Sequence, residues 1–343
     1  MKTRAGRFFE DFRIGDEIQH SVPRTVTAGD AAVLQTLYPS RFALYSSDEF
    51  ARHCGFHSSP LQDLAVFHIV FGKSVPDISL NAVANLGYAQ CRWLGQVWVG
   101  DTLTARSKVI GKRPTSNGKA GVVWVRTSGV NQHGAAVIEF VRWVLIPKRD
   151  PCAADEPAQI PRLAPSIEPR HLILPVGFTF TEYDFAKAGS RHRWGDYAVG
   201  ERIDHVDAVT LTEAEHMMAT RLWQNTARVH FDATVRPDGR RLIYGGHVMS
   251  LARALSFNGL ANAQMIVALN AGTHANPCFA GDTVRAWSEV LDRTETPNPS
   301  VGVLRLRLIA VKSQTQTFPM RLADGSYAPD VLLDLDYWAL LPT

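Results

Sequence analysis

His230 is the side chain with the plainest chemical capability in this 343-residue sequence. An imidazole titrates near pH 6.5, so it can take up and return a proton at neutral pH. It stands in the run Arg221-Leu222-Trp223-Gln224-Asn225-Thr226-Ala227-Arg228-Val229-His230-Phe231-Asp232, five residues after a neutral amide, Asn225. That amide can hold a water or a polar group of a substrate, but it cannot shuttle a proton. Asp232 is the nearest acid, and its place suits capping of the following segment better than catalysis. Further along, Gly245-Gly246-His247 leads into a small-residue apolar run. Glycine there lets a ligand approach the backbone, and the first amides of a helix lack internal partners, which makes Gly246 and His247 candidate contacts. Each of these features also has a bland explanation. A lone loop histidine is more often a satisfied structural one, and a turn can simply need glycine. Context has to decide.

The context is an internally duplicated chain. Gly100-Asp101-Thr102-Leu103-Thr104-Ala105-Arg106-Ser107-Lys108-Val109 recurs as Gly281-Asp282-Thr283-Val284-Arg285-Ala286-Trp287-Ser288-Glu289-Val290, with six of ten positions identical. Ile14-Gly15-Asp16-Glu17-Ile18-Gln19-His20 answers Val199-Gly200-Glu201-Arg202-Ile203-Asp204-His205, and Trp143-Val144-Leu145-Ile146-Pro147 answers Trp338-Ala339-Leu340-Leu341-Pro342. Three matches in one order mark a repeat. Between the copies the sequence is rich in proline (Pro151, Pro157, Pro161, Pro165, Pro169, Pro175), which reads as an extended linker on the surface. The organisation is therefore a first repeat over 1–147, a linker over 148–177 and a second repeat over 178–343.

Within each repeat the elements are legible. Thr27 with Asp30, and Thr212 with Glu215, have the spacing of helix capping boxes. Val248 to Phe257 is apolar, poor in β-branched residues and long enough for a buried helix. Leu304, Leu306 and Leu308 alternate with Arg305 and Arg307, the period of an antiparallel strand with one solvated face. Asn131-Gln132-His133-Gly134 and Ala323-Asp324-Gly325-Ser326 supply turns. A central helix followed by antiparallel strands, twice over, is an α+β architecture.

Composition narrows the field of functions. Net charge is +3 with both signs interspersed and no basic tract, which gives nucleic-acid binding little support. No run of about 18 apolar residues is present to cross a bilayer, and the N-terminal segment lacks the apolar core of a signal peptide. Cys54, Cys91, Cys152 and Cys278 are far apart, without C-x-x-C spacing, and read as reduced thiols of a cytoplasmic protein. His53 and His57 are four apart but lack a second pair of ligands, so no metal site is expected. Gly55 and Gly72 lack the spacing of a nucleotide loop.

The Asn225…His230 loop resembles the signature of the MaoC-like, or hydratase 2, family of acyl-CoA hydratases. That signature is an acid or amide five residues before a histidine, after the first helix. The prototype has aspartate first, with asparagine and proline two and three residues on. Asn225 and His230 match the outer positions, whereas Ala227 and Arg228 replace the inner ones. The resemblance implies a tandem double hot-dog fold, in which each copy wraps a curved antiparallel sheet around its central helix. It also implies a catalytic His230 and Asn225, and a thioester carbonyl held at Gly246 and His247. At the repeat offset of 185, Ser40 stands opposite Asn225 and Tyr45 opposite His230, so the first copy is degenerate and free to shape the acyl pocket.

Over the full chain the resemblance extends to the mesaconyl-CoA hydratase (β-methylmalyl-CoA dehydratase) branch. It is carried by Arg7-Phe8-Phe9-Glu10-Asp11-Phe12, the Asn225–His230 loop and Tyr244-Gly245-Gly246-His247-Val248. The implied substrate carries a free carboxylate, for which a charged hydrogen bond is worth roughly 1.5–3 kcal/mol. Arg228, Arg221 and Arg41 are the candidate cations. No cofactor is expected beyond the coenzyme A of the substrate, and a homodimer is expected from the resemblance. Three alternatives remain at this level: a hydratase of itaconyl-CoA or plain enoyl-CoA, a hot-dog thioesterase using Asp63, and a non-catalytic acyl-CoA-binding subunit. The proton donor is open, because Asn225 stands where the prototype has an acid.

Overall fold

The computed structural model describes residues 2–154, 156–312 and 320–343. In the first repeat the strands are β1 (Glu17–Thr25), β2 (Ala84–Trp93), β3 (Thr102–Pro114), β4 (Ala120–Val130) and β5 (Ala136–Pro147). The second repeat has β6 (Arg202–Thr210), β7 (Met265–His274), β8 (Thr283–Glu295), β9 (Val301–Val311) and β10 (Val331–Pro342). All ten join one antiparallel sheet in the order β1-β3-β4-β5-β2-β7-β10-β9-β8-β6. That order reads alike from either end, as a duplicated chain meeting at its own two-fold axis must. The seam is the β2–β7 pair, with Tyr88 opposite Gly272 and Ala89 opposite Ala271.

The repeated sequence motifs become repeated geometry. Gly15 and Gly200 have φ of 92° and 86°, and Gly100 and Gly281 have φ of 102° and 94°, conformations that favour glycine. His20 and His205 also match: each ring donates to or accepts from a serine on the neighbouring strand, Ser107 at 2.7 Å and Ser288 at 2.9 Å. These two are satisfied structural histidines. Both capping boxes form, Thr27 with Asp30 and Thr212 with Glu215, opening helices Ala28–Leu37 and Glu213–Leu222.

Each half wraps its sheet around one central helix, Asp63–Ile78 in the first and Gly245–Leu255 in the second. The first is buried on all sides from Asp63 to Val75, as expected of a helix apolar around its circumference. The second begins three residues before the apolar run that announced it. A single hydrophobic cluster contains Leu64, Phe67 and Val70 of one helix with Val248, Leu251 and Leu255 of the other. Each such side chain contributes about 1.5–3 kcal/mol on burial, and because the cluster is shared, neither half is packed without its partner. This is a double hot-dog fold.

The linker is less superficial than its prolines suggest. Gln159 bridges to Lys112 of β3, and Ile167 is tied on both sides. Its N–H donates to Asn270 Oδ1 at 2.8 Å, and its carbonyl accepts from Trp338 Nε1 at 3.0 Å. The Ala323–Ser326 turn forms between the bridged residues Arg321 and Tyr327, inside the β9–β10 connection.

Candidate active site

A cavity of about 480 Å³ opens between the halves, beside the end of β7. The second repeat supplies Asn225, Val229, His230, Tyr244, Gly245 and His274 to its wall. The first repeat supplies Phe71, Val75, Ser79, Asn85, Tyr88 and Arg142.

His230 lies in the one-turn helix Arg228–Phe231. Its Nδ1 is 2.7 Å from the Leu242 carbonyl oxygen, which can only accept, so Nδ1 carries the proton. The segment bearing that carbonyl is fixed in turn by Leu242 N–H donating to Val229 O at 3.0 Å. Nε2 is therefore the basic nitrogen, on a partly buried ring that lines the cavity. Burial pushes the His230 pKa down to about 4, opposed by the Leu242 hydrogen bond, so the ring is neutral at pH 7. A neutral, oriented imidazole is what a general base requires.

Asn225 is brought to the same wall by an unusual backbone. The preceding residue, Gln224, is held at φ 53°, a left-handed conformation uncommon outside glycine. The Asn225 N–H donates to Thr220 O at 3.0 Å, and its side-chain Oδ1 accepts from Ala227 N–H at 3.1 Å. Its acceptor is engaged locally, which leaves the Nδ2 donors for the cavity. The loop reaches this position because Gly72 of the first central helix has no side chain. A Cβ there would lie 1.8 Å from the Trp223 carbonyl oxygen. Gly72 thus belongs to the site as the surface on which the Asn225–His230 loop docks.

At the start of the second central helix the cavity wall is Gly245. A Cβ at Gly246 would collide with the Tyr244 and His68 rings, and a Cβ at Gly245 with His274. The turn is held from behind: Tyr244 N–H donates to His216 Nε2 at 3.1 Å, and Tyr244 Oη meets His68 Nδ1 at 3.0 Å. Gly246 and His247, singled out from the sequence, lie behind the wall. His247 is buried with its Nδ1 3.2 Å from Tyr38 Oη.

The three arginines expected to meet a carboxylate are elsewhere. Arg228 is exposed and donates to Ala5 O at 3.3 Å. Arg221 is exposed on the last turn of its helix. Arg41 is exposed, 3.6 Å from Asp207 and stacked over the Phe257 ring. None of the three lines the cavity, because each lies on the solvent side of its element. Asp232 caps the next turn by accepting from Thr234 N–H at 2.9 Å. Asp63 is fully buried and accepts from Tyr45 Oη, Leu64 N–H and Ile266 N–H.

Sequence reading missed Arg142, Asn85, Tyr88 and His274. Arg142 on β5 is wholly buried, yet its inward position was available from the period of two it shares with Phe140, Val144 and Ile146. His274 Nε2 lies 2.8 Å from Tyr88 Oη, and burial pushes its pKa down to about 4. No sequence signal joined these two, because they sit on paired strands 186 residues apart. Cys278 also lines the cavity, but burial raises its thiol to about 12, which leaves it inert. No cluster of His, Cys, Asp and Glu suited to a metal occurs among the described residues.

A double hot dog with an amide and an oriented histidine on one cavity wall is the architecture of a MaoC-like acyl-CoA hydratase. A family model described as mesaconyl-CoA hydratase matches residues 1–320. A mesaconyl-CoA hydratase of Cereibacter sphaeroides is 67% identical over 342 residues, covering 100% of both chains. A β-methylmalyl-CoA dehydratase of Chloroflexus aurantiacus is 54% identical, over 99% of this chain and 98% of that protein. The crystal structure of a putative MaoC domain dehydratase from Chloroflexus aurantiacus superposes with a TM-score of 0.97 at 54% identity, covering 100% and 99% of the two chains. The chain belongs to the mesaconyl-CoA hydratase family.

Proposed function

We propose that this protein hydrates mesaconyl-C1-CoA (2-methylfumaryl-CoA) reversibly to β-methylmalyl-CoA, with His230 as the general base. The observation that carries this reading is the Nδ1–Leu242 hydrogen bond, which fixes the basic Nε2 on a cavity wall shared with Asn225. Water held by the Asn225 amide loses a proton to His230 Nε2 as its oxygen attacks the β-carbon. The electron pair of the double bond moves to the thioester oxygen, which is met by the Gly245 N–H on the cavity wall, a first-turn amide without an intrahelical partner. The imidazolium then returns the proton to the α-carbon, so one water is added and nothing else is consumed. A ring whose pKa is about 4 gives that proton back readily, which supports His230 serving both transfers without a second acid.

The chemistry calls for no cofactor or metal beyond the coenzyme A carried by the substrate. Among the described residues no helix is long and apolar enough to cross a membrane, and we place the enzyme in the cytoplasm as a homodimer. Light scattering of the purified protein checks the dimer. The activity is tested by following loss of the conjugated enoyl-thioester absorbance with mesaconyl-C1-CoA. We expect rapid hydration, reduced about 10²-fold or more in His230→Ala. Release of free thiol instead would replace this reading by thioester hydrolysis.

A further inference from the structure

Among the described residues, nine buried side-chain nitrogen or oxygen atoms have no hydrogen-bond partner. Four of the nine belong to residues of this one cavity: Arg142 Nε, Asn85 Nδ2, Asn85 Oδ1 and His274 Nδ1. Buried polar groups are almost always paired, so their concentration here marks where a ligand's polar atoms go. Arg142 is the telling member. Its guanidinium is 0% exposed and lies 4.3 Å over the Phe71 ring. Its terminal nitrogens donate to Ser79 Oγ at 3.1 Å and Ser74 Oγ at 2.8 Å, both neutral acceptors. No carboxylate among the described residues pairs with it. Burial lowers its pKa only to about 10, so it keeps its charge at neutral pH. A buried cation without an anion is unfavourable, and a fold retains one where a ligand brings the missing charge. The other cavity arginine, Arg236, is already paired with Asp238 at 2.7 Å.

We propose that Arg142, with Ser79 and Asn85 beside it, binds the free carboxylate of the acyl chain and is the specificity-determining residue of this enzyme. Resting on the hydratase reading, this assignment explains how the second functional group of a dicarboxylic acyl chain is recognised. The repeat that has lost its own catalytic histidine supplies the cation. Arg142 on β5 and Asn85 on β2 belong to adjacent strands, with Asn85 opposite Val144 and Tyr88 opposite Arg142, so the group is built into rigid sheet.

The test compares pairs of thioesters that differ only in that carboxylate. Calorimetric titration of the full-length protein with succinyl-CoA and with butyryl-CoA reads binding apart from chemistry. The expected result is that Arg142→Met weakens succinyl-CoA by about 10²-fold and leaves butyryl-CoA within about 2-fold. Kinetically, the preference for mesaconyl-C1-CoA over tiglyl-CoA, which has methyl in place of carboxylate, should fall by a similar factor. Equal weakening of both ligands, or no weakening of either, would overturn the proposal. Should Arg142→Met fail to fold, Arg142→Lys is read the same way. It keeps the charge but loses the planar fork, and about a 10-fold fall in the succinyl-to-butyryl preference is expected, with an unchanged preference refuting the assignment. If the native enzyme does not hydrate mesaconyl-C1-CoA but the binding difference persists, the hydratase reading fails and the carboxylate site stands.

Discussion

On the wall of the cavity of about 480 Å³, the second repeat presents His230 with its basic nitrogen uncommitted. At the matching place in the first repeat, Tyr45 donates to Asp63 Oδ2 at 3.0 Å, beside a pocket of about 220 Å³. The two places share a scaffold: a short helix after the first long one, the start of a central helix, and the opposite repeat's strand across the seam. They differ in what has been satisfied. The first-repeat pocket is faced by the linker residues Ile173 and Val176, and its acid is bonded by Tyr45, Leu64 and Ile266. Burial raises the pKa of Asp63, and the charge of Arg253, on the central helix of the second repeat, opposes that rise, so this acid is met by a cation from the other half. The cavity beside His230 has the cation Arg142 and, among the described residues, no acid in its lining. At the corresponding position, just before Trp338, the second repeat has Tyr337. The acid of the first-repeat pocket is met by protein groups from both halves, whereas the cavity around His230 keeps four polar atoms unpaired.

The comparison can be broken most forcefully at its two central residues. His230→Ala should reduce kcat/KM for hydration by about 10²–10⁴-fold, while Tyr45→Phe should leave kcat unchanged. Comparable loss from both would mean that the first-repeat pocket also does chemistry.

Acid should distinguish the two sides next. Burial depresses His68 and His216 to about 3, and His230, His247 and His274 to about 4, and all five cluster around the catalytic cavity. No histidine lines the first-repeat pocket. The folded pKa values lie below the unfolded value near 6.5, so the unfolded chain binds protons that the folded one refuses. The stabilisation is complete above pH 6.5 and is lost as pH falls towards 4, by about 1.4 kcal/mol per histidine per pH unit. The melting temperature should drop steeply between pH 6.5 and 5, and amide exchange at pH 5.5 should rise first in residues 225–245. Uniform exchange in both repeats would contradict the asymmetry.

Gly72→Ala sharpens the dependence of one repeat on the other. The added methyl meets the Trp223 carbonyl, and about 1–3 kcal/mol of stability should be lost together with activity, because the Asn225 loop can no longer dock. A stable variant with normal kcat would show that the loop has another seat. Tyr45→Phe removes one hydrogen bond to a buried carboxylate and should lower unfolding free energy by about 1.5–3 kcal/mol without affecting turnover. The smallest effect is expected at Arg41, exposed outside the cavity. Arg41→Ala should change stability by no more than about 0.5 kcal/mol and leave mesaconyl-C1-CoA kinetics intact, whereas a raised KM would return it to the substrate site.

Several parts of this arrangement are written locally. The capping boxes at Thr27 and Thr212 depend on residues three apart, and the glycine turns at Gly15, Gly100, Gly200 and Gly281 depend on single backbone conformations. The repeat revealed the degenerate partner of His230, because an offset between copies needs no knowledge of space. Asn225 and His230 were legible for the same reason, being five residues apart in one loop.

The choice of arginine was not legible, and the physical reason is distance along the chain. Arg228 is a near neighbour of His230 in sequence, but its side chain leaves the short helix on the solvent face. Arg142 is 88 positions earlier, yet sheet pairing across the seam carries it to the same cavity. The placement of His274 against Tyr88, the docking of Trp223 on Gly72 and the retreat of His247 behind Gly245 are likewise contacts between distant segments. Local sequence was enough to show that the chain is doubled and that the second copy, not the first, has an amide and a histidine five residues apart at this place. It took packing to bring Arg142, and not Arg228, Arg221 or Arg41, to the cavity, because burial and pairing are properties of the surroundings that packing creates.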